Sequence, residues 1–133
     1  MKISIIGPET CVDKTRKVKE LLFKIKETFG PAAIIQSGGN SSGIEREVKK
    51  FSLEFEMKYK EFNPSFTGKN LYSALDEGYY TKGRHPSHFH NRYERMLQET
   101  DILFIGQEVG TSDKLYEAIK KRAEKKKIRT TVI

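Results

Sequence analysis

Apolar residues recur along this chain in two alternating rhythms. Short apolar runs bounded by Gly, Pro, Asn or Asp predict strands, and apolar positions three and four apart predict helices. Lys2 to Ile6 is the first run, carrying Ile3, Ile5 and Ile6 and ending at Gly7-Pro8. Asp13 is placed to cap a helix whose inner stripe is Val18, Leu21, Leu22, Ile25 and Phe29, and Gly30-Pro31 stops it. Ala32 to Gln36 reads as a second strand. Ile44, Val48, Phe51 and Phe55 are the stripe of a second helix, and Lys58 to Phe62 is a third strand closed by Asn63-Pro64.

From Ser65 to about His85 the period is lost, while Gly68, Gly78 and Gly83, three tyrosines and four basic residues accumulate. Such a long irregular segment inside a small domain reads as a lid or flap, a binding loop or a disordered insertion. Its tyrosines, Tyr72, Tyr79 and Tyr80, offer faces for stacking, and Lys69, Lys82 and Arg84 offer charge. Regularity returns at Pro86, with Phe89, Tyr93, Met96 and Leu97 on the apolar face and His88, Asn91, Arg92 and Arg95 directed elsewhere. Ile102 to Ile105 is a fourth strand. Asp113 to Lys127 is a helix carrying Leu115, Ala118, Ile119 and Ala123 inward, and Ile128 to Ile133 is a fifth strand.

Strands alternating with helices predict an α/β, Rossmann-like, doubly wound fold: a mainly parallel five-stranded sheet with helices on both faces. Residues 1–133 read as a single domain with a long loop at about 65–85. Open sheets of this kind bind ligands beyond the carboxyl ends of the strands, where strand order reverses. Three loops reach that edge: Gly7 to Asp13, Ser37 to Gly43, and Gly106 to Ser112. The middle one, Ser37-Gly38-Gly39-Asn40-Ser41-Ser42-Gly43-Ile44-Glu45, is the most telling. A strand, a glycine-rich turn and a helix start aim backbone N–H groups at an anion.

Charge alters this picture little. The net charge of +7 is concentrated in Lys120, Lys121, Arg122, Lys125, Lys126, Lys127 and Arg129. Cations in the last turn of a helix complement its dipole, although the same cluster leaves nucleic-acid binding open. No apolar run is long enough to span a bilayer, and no signal peptide is evident at Met1-Lys2. The single cysteine, Cys11, excludes an internal disulfide and points to a reducing cytoplasm. No membrane association, metal or resident cofactor is expected. His85, His88 and His90 have the wrong spacing for a helical metal pair, His88 and His90 diverging by about 200° on a helix.

Glu9, at the mouth of the first strand, is placed to act as general acid, base or ribose acceptor, or is an ordinary loop acid. Glu45 is either a reactive carboxylate or a dipole-complementing acid in a first helical turn. Arg92 and Arg95 lie on a polar helix face, from which a guanidinium holds phosphate bidentately or is merely solvated. Gly68-Lys69-Asn70 follows no strand and is no Walker lysine motif.

Taken together, these segments resemble the SLOG superfamily, which includes the YspA-like proteins, the DNA-processing protein A and the LOG cytokinin-activating enzymes. The resemblance rests on Ile6-Gly7-Pro8-Glu9, on Ser37 through Glu45, on His90-Asn91-Arg92-Tyr93-Glu94-Arg95-Met96 followed by Asp101-Ile102-Leu103, and on Gly110-Thr111-Ser112 through Ala118. It covers nearly the whole chain in order and is nearest to the YspA-like branch. Two features depart from it. Pro8-Glu9-Thr10 replaces the usual arginine of the first turn. Lys114 stands where the LOG motif Gly-Thr-x-x-Glu has its glutamate, leaving Asp113 and Glu117 only as near neighbours.

The resemblance implies a homo-oligomer that binds a nucleotide or nucleotide-derived small molecule for sensing or sequestration. Gly7, Pro8, Glu9, Thr10, Ser37, Gly38, Gly39, Asn40, Ser41, Gly43, Glu45, Asn91, Arg92, Arg95, Gly110, Thr111 and Ser112 would line the site. The alternative is an N-glycosidase or phosphoribohydrolase using Glu9, Glu45 or Glu117. A second alternative is nucleic-acid binding through the basic C-terminal helix.

Overall fold

The computed structural model describes residues 1–8, 14–40, 42–63, 69–75, 77–80, 87–106 and 114–133, with the backbone alone at Glu77 and at 87–91. Its sheet contains β1 (Lys2–Ile6), β2 (Ile34–Ser37), β3 (Lys58–Glu61), β4 (Ile102–Ile105) and β5 (Arg129–Val132). All neighbours pair in parallel, in the order β3-β2-β1-β4-β5. The helices are α1 (Thr15–Phe29), α2 (Ile44–Glu54), α3 (Glu77–Tyr80), α4 (Ser87–Gln98) and α5 (Lys114–Lys125). The chain winds outward from β1 to β3, then returns to the other side of β1 as β4. The order therefore reverses between β1 and β4, which places the switch point there.

Register decides which residues meet which helices. Ile3 lies opposite Ile35 and Ile102, and Ile5 opposite Phe104, so these side chains share one face. That face packs on Val18, Leu22 and Ile25 of α1 and on Ile44, Val48 and Phe51 of α2. Ile6, Leu103 and Ile105 point to the other face, where α4 brings Tyr93, Met96 and Leu97 and α5 brings Tyr116, Ile119 and Ala123. The α/β, Rossmann-like, doubly wound reading of the sequence describes this architecture.

Several details differ from the expectations, among them Ala118, expected to face inward on α5 but exposed. Helical spacing puts Arg92 on a polar helix face, yet the residue is 1% exposed. Within the supposedly irregular segment, residues 69–75 lie along the free edge of β3. Glu61 N–H donates to Tyr72 O at 2.7 Å and Ala74 N–H to Glu61 O at 2.9 Å. An Asx turn shapes this stretch: Asn70 Oδ1 accepts from Tyr72 N–H at 2.8 Å. Side-chain-to-backbone bonds of this kind leave no apolar period, so periodicity does not reveal them. Leu75 and Tyr79 then enter the second core, and Tyr79 offers no open face for stacking. The expected cap Asp13 lies outside the described residues; Lys14 holds the N-cap position of α1 without a side-chain hydrogen bond.

The ends of β1 and β4 are closed by one side chain. A Cβ built on Gly7 would lie 2.8 Å from Ile44 Cδ1, and one on Gly106 would run into the same atom. Ile44, the first residue of α2, therefore fills the space above the switch point because both strands end in glycine. Gly106→Ala should destabilise the protein by about 1–3 kcal/mol through overpacking. Adding Ile44→Val, which removes Cδ1, should return part of that loss, whereas Ile44→Val alone should cost about 0.5–1.5 kcal/mol. Urea unfolding of the four proteins checks this; simple additivity would refute the contact.

Candidate functional site

The site grows from the end of β2. Ser37 Oγ donates to Ile5 O at 2.8 Å, and Ser37 O accepts from Phe62 N–H at 2.8 Å, so the strand end is tied to both neighbours. The chain then turns through Gly38, Gly39 and Asn40. Gly38 has no room for a side chain: a Cβ would collide with Glu45 Oε1 and lie 2.8 Å from Tyr93 Oη. Gly39 adopts φ +75°, and a Cβ there would lie 2.7 Å from Glu61 Cγ and 2.8 Å from Asn63 Nδ2. The two glycines thus serve two different walls.

The first wall is a buried polar network. Glu45 is fully buried in the first turn of α2, where the helix dipole favours a carboxylate. Tyr93 Oη donates to Glu45 at 2.9 Å from either carboxylate oxygen, and Asn40 Nδ2 donates to Oε2 at 2.8 Å. Arg92 Nη1 donates to Gly38 O at 2.6 Å, while Nη2 donates to Asn40 Oδ1 and Tyr93 Oη, each at 3.0 Å. Tyr116 Oη, on α5, donates to Gly7 O at 2.8 Å and lies 3.4 Å from Tyr93 Oη. The network joins the ends of β1 and β2 to α2, α4 and α5.

The second wall stands at the end of β3. Glu61 is 2% exposed and accepts from Asn70 Nδ2 at 2.7 Å and Tyr59 Oη at 3.2 Å. Lys49 Nζ approaches it at 3.5 Å. Asn63 Oδ1 accepts from Ser73 Oγ at 2.9 Å. These bonds hold residues 69–75 against β3, with Gly39 lodged beside them.

The electrostatics follow from burial. Burial raises the Tyr93 hydroxyl well above the ordinary phenol value, Glu45 raises it further, and Arg92 opposes them. Burial would lower the Arg92 guanidinium, yet Tyr93, Glu45 and Tyr116 more than reverse this. Tyr59 is likewise raised, first by burial and then by Glu61.

Of the residues anticipated from sequence, Gly7, Ser37, Gly38, Gly39, Asn40, Glu45 and Arg92 come together here, with Gly43 at the N-cap of α2 and Pro8 partly buried after β1. Arg95 lies on the exposed surface of α4 and Glu117 on that of α5. Glu9, Thr10, Ser41, Gly110, Thr111 and Ser112, and the side chain of Asn91, lie outside the described residues. Tyr93, Tyr116, Glu61 and Asn63 join the site as polar participants that the sequence pattern does not signal. Tyr93 sits on an apolar stripe, and only its hydroxyl hinted at more. Among the described residues, no group of three His, Cys, Asp or Glu is arranged to hold a metal, and no helix is long and apolar enough to cross a membrane.

The architecture is an α/β, Rossmann-like parallel sheet shared with solved structures. The molybdenum cofactor carrier protein of Chlamydomonas reinhardtii superposes on it with a TM-score of 0.66 at 17% identity, over 98% of this chain and 75% of that one. The DNA processing protein A of Helicobacter pylori, solved for its single-stranded DNA binding, gives a TM-score of 0.73 at 16% identity. That match covers 99% of this chain and 64% of the neighbour's length. At these identities the likeness is one of fold. No family model and no curated protein matches the sequence.

The raised tyrosines make an alkaline prediction. A phenol whose folded pKa exceeds its unfolded value of about 10 contributes stability that is complete below that pH and is lost as pH rises above it. Tyr59→Phe should therefore unfold over a shallower alkaline slope than wild type. At neutral pH it should lose about 1 kcal/mol with its bond to Glu61. Urea titrations from pH 8 upward check this, and an unchanged alkaline slope would contradict it.

Proposed function

We propose that this chain binds a phosphorylated, nucleotide-derived small molecule at the C-terminal edge of its sheet, for sensing or sequestration. One observation carries the reading: the orientation of the Gly38–Gly39 peptide. Arg92 holds its carbonyl oxygen, and in a trans peptide the N–H points the opposite way. Among the described residues no hydrogen bond takes the N–H of Gly39. A backbone donor beside a helix start at the switch point of an open sheet suits an anionic oxygen. The N–H groups of 38–43 and 110–112 would share the phosphate, with the 65–85 segment alongside. One structural neighbour carries the molybdenum cofactor and the other binds single-stranded DNA. Nucleotide recognition and the YspA-like branch rest on the sequence resemblance.

Glycosidic cleavage is the weaker reading, since the Glu45 carboxylate is fully buried and engaged by Tyr93 and Asn40. Single-stranded nucleic acid is favoured as a second reading by the second neighbour and by the exposed Lys121, Arg122, Lys125, Lys126 and Lys127.

Amide NMR titrations with adenosine monophosphate, inorganic phosphate and adenosine separate these readings. Adenosine monophosphate and phosphate should both shift resonances within 37–44, and adenosine alone should shift them far less. Release of free adenine would instead establish the glycosidase. Shifts confined to α5, produced by an oligonucleotide and lost steeply with salt, would establish the nucleic-acid reading.

A further inference from the structure

We propose that Arg92 is a positioning residue, a clamp that sets the Gly38–Gly39 peptide and the Asn40 amide rather than a cation that meets the ligand. Arg92 is 1% exposed, and both terminal nitrogens of its guanidinium are engaged by the protein. Nη1 is on Gly38 O at 2.6 Å, and Nη2 is shared between Asn40 Oδ1 and Tyr93 Oη at 3.0 Å. Its carbon lies 4.5 Å from the centroid of the Tyr93 ring, which confines the plane of the fork. An arginine held this way reaches a bound phosphate only by leaving Gly38 O and Asn40 behind.

The clamp has a clear output. With Gly38 O held toward α4, the Gly39 N–H faces away from it. Asn40 is oriented at the same time: its oxygen accepts from Arg92 and its amide nitrogen donates to Glu45, which leaves only one amide orientation possible. Tyr93 links the two charges, accepting from Arg92 and donating to Glu45. Lysine cannot replace this arrangement, because one ammonium does not span Gly38 O, Asn40 Oδ1 and Tyr93 Oη with a planar fork. The clamp itself stands on the geometry of the turn; its consequence for binding rests on the anion-cradle reading above.

The experiment has two arms. In the first, amide spectra without ligand are compared for wild type, Arg92→Lys, Arg92→Ala and Arg92→Met/Glu45→Gln. The last variant keeps the test alive should a lone Glu45 charge prevent folding. Gly39 and Asn40 resonances should shift or broaden in every variant, and that of Glu45 in the variants that retain it, while Thr130 and Thr131 of β5 stay in place. Guanidinium ion added to Arg92→Ala should move them back toward wild type, which loss of packing alone would not allow. Unmoved Gly39 and Asn40 resonances in the folded variants would overturn the clamp.

In the second arm, inorganic phosphate is titrated into wild type and Arg92→Met/Glu45→Gln at several salt concentrations. Affinity should fall at least tenfold in the variant with the same salt slope. A slope shallower by about one charge would place Arg92 on the anion and overturn the proposal. A wild type that ignores phosphate would sink the cradle reading, and the first arm would still decide the clamp.

Discussion

The bond from Arg92 to the carbonyl of Gly38 is the constraint on which the rest of this site depends. A guanidinium and a carboxylate, Arg92 and Glu45, are both removed from water at the carboxyl edge of the sheet, one carried by α4 and the other by α2. Buried charges are tolerated only when partners replace the lost hydration, and removing one member of such a set typically costs about 3–5 kcal/mol. Here the replacement joins the ends of β1 and β2 to α2, α4 and α5. Tyr93 stands between the charges, Asn40 bridges them on the other side, and Tyr116 extends the network to Gly7. An apolar core of the same volume would stabilise the fold as well; it would not orient a peptide.

The glycines follow from this arrangement. Gly38 exists because the Glu45 carboxylate and the Tyr93 hydroxyl approach the backbone too closely for a methyl group. Gly39 exists because φ is +75° and because Glu61 and Asn63 crowd its other side. A bulky residue at 39 would therefore strain the protein itself before it obstructed any ligand. Ile44 plays the corresponding apolar part, covering Gly7 and Gly106 where the strand order reverses. Polar and apolar contacts thus meet at one place, the ends of β1, β2 and β4.

The sheet and its helices were legible in the sequence because burial on both faces writes itself as apolar runs and stripes. The Gly-Gly turn was legible for a similar reason, since little else allows a strand to enter a helix so tightly. The role of Arg92 was not. Helical spacing puts it beside Tyr93 but says nothing of a carbonyl 54 residues away that would draw it inward. Glu45 read as a dipole-complementing acid, which it is, yet its burial depends on Tyr93 and Asn40 arriving from elsewhere. The 69–75 segment escaped because it is held by Asn70, Ser73 and Glu61 rather than by an apolar period. Features made by long-range polar pairing leave weak traces in local pattern.

The most direct test of the account is a crystal structure of the wild-type protein with adenosine monophosphate. The account predicts the phosphate within hydrogen-bonding distance of the Gly39 N–H, with Arg92 still bound to Gly38 O and Asn40. A phosphate held by Arg92 swung out of the core, or bound away from the end of β2, would contradict it.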